Sequence, residues 1–101
     1  MAFRVRWTLP AAEDFEALAK RIEQDSDFLQ SQEVAREIFH SIEALAEHPY
    51  IGEALEDYPN LRRRLSSGFR IVYEIFEKES TVEITRLLHQ RQDWKSHFKK
   101  G

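Results

Sequence analysis

The stretch Gly68 to Trp94, GFRIVYEIFEKESTVEITRLLHQRQDW, decides the fold. Six of the eight residues from Phe69 to Phe76 are aromatic or β-branched: Phe69, Ile71, Val72, Tyr73, Ile75 and Phe76. Such side chains fit a pleated, half-buried surface. The polar run Glu77-Lys78-Glu79-Ser80 interrupts them, and Thr81 to Leu88 resumes with Val82, Ile84, Leu87 and Leu88. Two strands joined by a tight turn follow, at 69–77 and 81–89, with a basic and aromatic tail beyond. Arg70 lies inside the first strand; Arg86 and His89 lie at the end of the second. A charged group within an apolar strand faces water or a ligand, and the function turns on which.

Upstream, Leu61 to Leu65 reads as a short strand and Ser66-Ser67-Gly68 as a turn. Tyr50 to Asn60, with Pro49 just before it, reads as an ordered loop because proline and glycine punctuate it. A helix starting between Asp27 and Ser31 carries Ala35, Ile38, Ile42 and Leu45 as its buried stripe, helped by Val34 and Phe39. Pro49 stops it. An earlier helix places Phe15, Leu18, Ala19 and Ile22 on one face and ends near Gln24 to Asp27. Thr8 is its expected N-cap, Pro10 fits its first turn, and Glu13 and Asp14 suit the positive end of its dipole. Phe3 to Thr8 alternates apolar with basic residues, the period of a strand with one buried side. The fold class is therefore α+β, in the order β-α-α-β-β-β. A helical hairpin covers one face of a twisted, mainly antiparallel sheet and leaves the other face open. Residues 96–100 read as a short helix or a frayed tail.

The 101 residues make one domain, 1–101, without repeat or linker. With no cysteine, disulfides, thiolate metal sites and cysteine nucleophiles are excluded together. No apolar run reaches signal-peptide or membrane-span length. A cytoplasmic protein without membrane contact is the expectation. The net charge of −3 hides a polarity. Residues 1–60 hold 5 Lys and Arg against 13 Asp and Glu, and residues 61–101 hold 10 against 5. One basic face on an acidic protein fits that split, as does an acidic helical layer lying on a basic sheet.

The side chains exclude several chemistries. His40 and His48 are eight apart with no ligand spacing around them, and Glu43 and Glu47 make a solvated helix face. Three glycines do not make a phosphate-cradling loop. No metal and no cofactor is expected. What remains is Arg62, Arg63, Arg64, Arg70, Arg86, His89 and Arg91. Arginine forks match phosphate oxygens but do not titrate near neutrality. His89 is the proton carrier within that basic cluster. Arg70 could equally pair with Glu74 or Glu83, and Tyr73 could equally be core.

The ordered set "W-T-x-x-A-x-x-D" (Trp7 to Asp14), Pro49 to Gly52, Leu61 to Arg63, "R-I-V-Y-x-I" (Arg70 to Ile75) and "I-x-R-L-L-H-x-R-x-D-W" (Ile84 to Trp94) resembles the RelE/ParE superfamily of bacterial toxins. The resemblance covers nearly the whole chain. It implies a toxin of a type II toxin–antitoxin, plasmid-stabilising module, neutralised by a cognate antitoxin in a hetero-oligomer. In RNA-cleaving RelE-like members, an arginine in the "R-I/L-V-Y" strand and a residue at the end of the last strand act on messenger RNA in the ribosome. Arg70 and His89 match those places as catalytic candidates. The "L-H-x-R-x-D-W" ending, the long hairpin and "P-x-x-G … L-R-R" look more like the ParE branch, whose characterised members bind DNA gyrase and are not nucleases. That branch is the favoured expectation. Arg62, Arg64, Arg70, Tyr73, Arg86, Arg91 and Trp94 are then the binding candidates. An inactive binding module on the toxin fold is the third class.

Overall fold

The computed structural model describes residues 2–24 and 28–91. The chain runs β1 (Arg4–Trp7), α1 (Leu9–Gln24), α2 (Phe28–Glu47), a 3-10 turn (Pro49–Ile51), β2 (Glu53–Ala54), β3 (Leu61–Ser66), β4 (Phe69–Phe76), a second 3-10 turn (Glu77–Glu79) and β5 (Thr81–His89). This is the expected α+β order with one addition, the two-residue strand β2. Trp94 and residues 96–100 lie outside the described residues.

The five strands form one sheet in the order β1-β5-β4-β3-β2. β1 pairs parallel to β5, with Val5 beside Val82 and Trp7 beside Ile84. The other pairings are antiparallel. β3 and β4 join through Ser67-Gly68, both at positive φ (+49° and +81°). Two such residues in succession give the mirror-image turn whose twist matches a right-handed hairpin. Gly68 adopts that conformation freely and Ser67 does so under strain. The Ser67 hydroxyl bonds the Glu37 carboxylate, and the Ser41 and Ser66 hydroxyls meet at 2.7 Å, so the hairpin is pinned to α2.

Thr8 caps α1 as expected: its Oγ1 accepts from the Ala11 N–H at 3.1 Å. The same hydroxyl donates to the Thr85 carbonyl at 2.8 Å, so one side chain starts the helix and ties it to β5. Ala11 is fully buried where α1 meets the sheet. The buried stripe of α2 is Ile38, Ile42 and Leu45, with Val34 packed against it. Phe39, expected within that stripe, is about half exposed and meets the Phe15 ring edge-on.

One core lies between the helices and the sheet. It joins Ala11, Leu18, Ile38, Ile42 and Leu45 to Ile71, Tyr73, Val82, Ile84 and Leu87. At roughly 1.5–3 kcal/mol per fully buried large aliphatic side chain, this layer holds the helices down. The opposite sheet face is not wholly open. Leu55 and Tyr58, from the loop between β2 and β3, cover Leu61 and Val72 in a second small cluster.

Candidate functional site

β5 changes face partway along. Val72 pairs with Arg86 and Tyr73 pairs with Ile84, so Thr85 is an extra residue bulged from the ladder. The bulge falls just beyond Ile84, where the neighbouring β1 ends at Trp7. From there α1 takes over the exposed edge of β5. Asp14 accepts from the Leu87 N–H (3.0 Å) and from Arg86 Nε (2.7 Å) and Nη2 (2.9 Å). A two-toothed guanidinium–carboxylate pair is directional as well as strong. The bond to Asp14 is the main reason the Arg86 guanidinium holds its proton even more firmly than usual. Asp14, expected to serve the dipole of α1, instead seals a strand edge. Arg86, expected on a binding face, is held in that seam.

The bulge also separates the two catalytic candidates. By strict alternation from Val82 and Ile84, His89 would share the face away from the helices with Arg70. The extra residue moves Leu87 and His89 to the helix face instead. His89 lies opposite Phe69 and meets its ring edge-on at 5.3 Å, while its Nδ1 accepts from the Arg91 N–H at 3.1 Å. Arg70 lies one position along, between Leu65 and Leu88, and points to the other face. Burial first, and the charge of Arg63 second, make the Arg70 proton easier to lose than in a free arginine. The two side chains do not converge, so the shared site expected of Arg70 and His89 is not formed. A reaction that needs both at one phosphate is not served by this geometry.

The remaining arginines of β3 split between the faces in the same way. Arg62 and Arg64 are opposite Tyr73 and Ile71, on the helix side; Arg63 is opposite Val72, on the other. Arg62 is committed to the loop beside it. Its Nη1 donates to the Gly52 carbonyl at 2.6 Å, and its guanidinium lies 4.9 Å from the centre of the Tyr50 ring. Tyr73, a binding candidate, is 0 % exposed. Its hydroxyl donates to the Pro49 carbonyl (2.7 Å) and accepts from the Gly52 N–H (2.9 Å). Burial, the largest effect, raises the Tyr73 pKa, against the opposing pull of the Gly52 bond and the charges of Arg62 and Arg64. Tyr73 is therefore a lock for the loop rather than a contact for a partner. Arg91 is exposed at the end of the described chain. Trp94 lies outside the described residues. Among the described residues no three His, Cys, Asp or Glu side chains gather to hold a metal ion, and no helix is long and apolar enough to cross a membrane.

The sequence reading passed over an apolar patch. Tyr50, Ile51 and Leu65 are all more than half exposed. Ile51 and Leu65 line a cleft of about 270 Å³ with Gly52, Glu53 and Arg63. The Tyr73 lock and the Arg62 guanidinium hold one wall of this cleft, and β3 makes the other. The usable signal was Leu65 itself, which alternates with Arg64 and Ser66 at the end of an edge strand.

Residues 5–94 match the family model described as ParE toxin of type II toxin–antitoxin system, parDE. A protein called Toxin ParE1 from Mycobacterium tuberculosis is 34 % identical over 64 residues, which are 63 % of this chain and 65 % of that one. The match thus spans just under two thirds of that relative. Toxin ParE1 from Caulobacter vibrioides is 36 % identical over 69 residues, 68 % of this chain and 70 % of that one. Among solved structures, a chromosomal ParDE system from P. aeruginosa superposes with a TM-score of 0.72 at 16 % identity, covering 87 % of this chain and 96 % of its own. At that identity the likeness is one of fold.

Proposed function

The chain belongs to the ParE toxin family, and from that premise we propose that it is the toxin of a type II toxin–antitoxin module, acting by binding a protein target and held inactive by a cognate antitoxin. DNA gyrase is the favoured target, and retention of a plasmid or other element carrying the module is the expected biological outcome. The family match carries the first part of this reading. The separation of Arg70 from His89 across the sheet supports the second, because binding does not require the two side chains to meet. The basic half of the chain, with ten Lys and Arg against five Asp and Glu in residues 61–101, suits an acidic antitoxin segment. A segment that folds as it binds could wrap both the helical hairpin and the uncovered sheet.

Tightly controlled expression of the chain alone, followed by pulse-labelling, tests this. Early loss of DNA synthesis, with translation intact, is the expected result. Early loss of translation with cut messages would replace it by a ribosome-dependent endoribonuclease, and normal growth would leave a binding module without toxicity.

A further inference from the structure

β2 pairs with β3 only at Arg62 and Arg63. The Leu61 N–H donates to Tyr58 and its carbonyl accepts from Leu55, so the backbone groups of Leu61 point away from β4. Alternate residues of an antiparallel ladder point the same way, and the N–H and carbonyl of Leu65 therefore point outward too. Ile51 does not meet them, since it sits in the 3-10 turn and its own N–H donates to His48. The uncovered stretch is three residues long, Arg64 to Ser66. Glu53, opposite Arg63, closes one end and the Ser67-Gly68 turn closes the other. A strand that ran on past Arg64 would collide with Glu53. A second copy of this same stretch would not, because its chain turns away at Ser67.

The side chains fit a second copy as well. With Leu65 opposite Leu65, each copy gives one N–H and accepts one at its carbonyl, the exchange of a hydrogen-bonded antiparallel pair. Arg64 of one copy then lies opposite Ser66 of the other, on the helix side. Glu37 stands at that place: its carboxylate accepts from the Ser67 hydroxyl and its carbonyl from the Ser66 hydroxyl at 3.4 Å. Each Arg64 thus comes beside the Glu37 of the other copy. Within one chain Arg64 Nη1 is buried without an acceptor among the described residues, a condition rare for a guanidinium N–H. On the other sheet face the two Leu65 side chains meet, flanked by Ile51, and both residues are more than half exposed in the single chain. Backbone, charge and apolar surface are each self-complementary, as a two-fold contact requires. We infer that two copies of this chain associate through Arg64 to Ser66 of β3, about a two-fold axis at Leu65, so that their sheets run on into one another. Three paired residues a side make a small contact, and a Kd on the order of 10–100 µM is expected. The inference stands apart from the toxin reading.

Sedimentation velocity on the purified full-length chain, from about 5 to about 500 µM, tests it. The sedimentation coefficient rises to that of a dimer, and hydrogen exchange at the Leu65 amide slows over the same range. Leu65→Asp, at a position 55 % exposed, weakens association at least about tenfold with the circular dichroism spectrum unchanged. Arg64→Glu and Glu37→Arg, each alone, also lose the dimer, because each sets like charges against one another at both contacts. Mixed in equal amounts they regain it, since one copy of each restores an opposite pair at both. A chain that stays monomeric throughout, a dimer that survives Leu65→Asp, or a mixture no more associated than its two components overturns the inference. Growth arrest on induction reports the toxin reading separately, and neither result decides the other.

Discussion

Tyr73→Phe removes one oxygen atom and with it both bonds that lock the loop before β2. The phenyl ring still fills its place, so the change isolates the hydroxyl. In the native chain that hydroxyl donates to Pro49 and accepts from Gly52, and all three residues are buried. Two lost bonds at about 1 kcal/mol each, with an amide left unsatisfied in the interior, come to roughly 2–3 kcal/mol. At about 2.1 cal/mol/K of unfolding entropy per residue, the 101 residues give a fall in Tm of about 10–15 °C. Differential scanning calorimetry measures it, with Tyr50→Phe as the control. That ring is exposed, and its loss of a hydroxyl costs under about 0.5 kcal/mol. Gly52→Ala attacks the same lock from the other side, because a methyl group there would sit 2.5 Å from the Tyr73 hydroxyl and 2.6 Å from the Arg63 carbonyl. The double variant should lose less than the two singles together, since phenylalanine relieves the first clash but not the second. A Tm within about 2 °C of native for Tyr73→Phe, against the 10–15 °C expected, would refute the lock.

The lock also sets a pH dependence. Folding raises the Tyr73 pKa, chiefly by burial. Above the ordinary tyrosine value of about 10 the unfolded chain binds fewer protons than the folded one, so stability falls as pH rises through that window; Tyr73→Phe should flatten the fall in urea titrations. Asp14→Ala strips Arg86 and the Leu87 N–H of their acceptor, and the expected loss is about 2–4 kcal/mol by chemical denaturation, with Arg86→Ala partly repeating it. Ser80 sits at φ +48° and ψ +48°, in the left-handed region; Ser80→Gly should raise stability by about 0.5 kcal/mol and Ser80→Val should lower it by more, both read as Tm shifts. His89→Gln should leave the early arrest on induction unchanged, because His89 faces away from Arg70; loss of arrest with the fold intact would restore His89 to the functional site.

What could be read from the residues alone was whatever repeats locally. β4 and β5 are dense in aromatic and β-branched residues, α1 and α2 carry stripes at helical spacing, and Thr8 announces the start of α1. Pairing partners carry no such local mark. That β1 lies parallel beside β5 follows from tertiary packing, and β2 is two residues without a pattern. The decisive failure came from Thr85. One bulged residue reverses every side chain after it, so alternation counted along T-V-E-I-T-R-L-L-H puts His89 on the wrong face. Arg62 and Tyr73 looked like contacts because their chemistry suits ligands, and the structure uses the same chemistry to fasten a loop. Leu65 carried a signal in its alternation with Arg64 and Ser66, but its exposure depends on where β2 stops, which no local pattern marks.

The position of β5 has a consequence for how the protein comes into being. It stands between β1 and β4, and its parallel neighbour was synthesised more than seventy residues earlier, as in Arg4 beside Thr81. A ribosome must release Thr81 to His89 before β1 has any strand beside it and before β4, already paired with β3, gains its second neighbour. Until then the nascent chain holds a helical hairpin with no finished sheet beneath it, and closing so long a loop is slow. A message cut short before that strand would yield no folded product. Release of β5 therefore works as a checkpoint: the parallel pairing with β1 and the closing of the core over the sheet both wait for it.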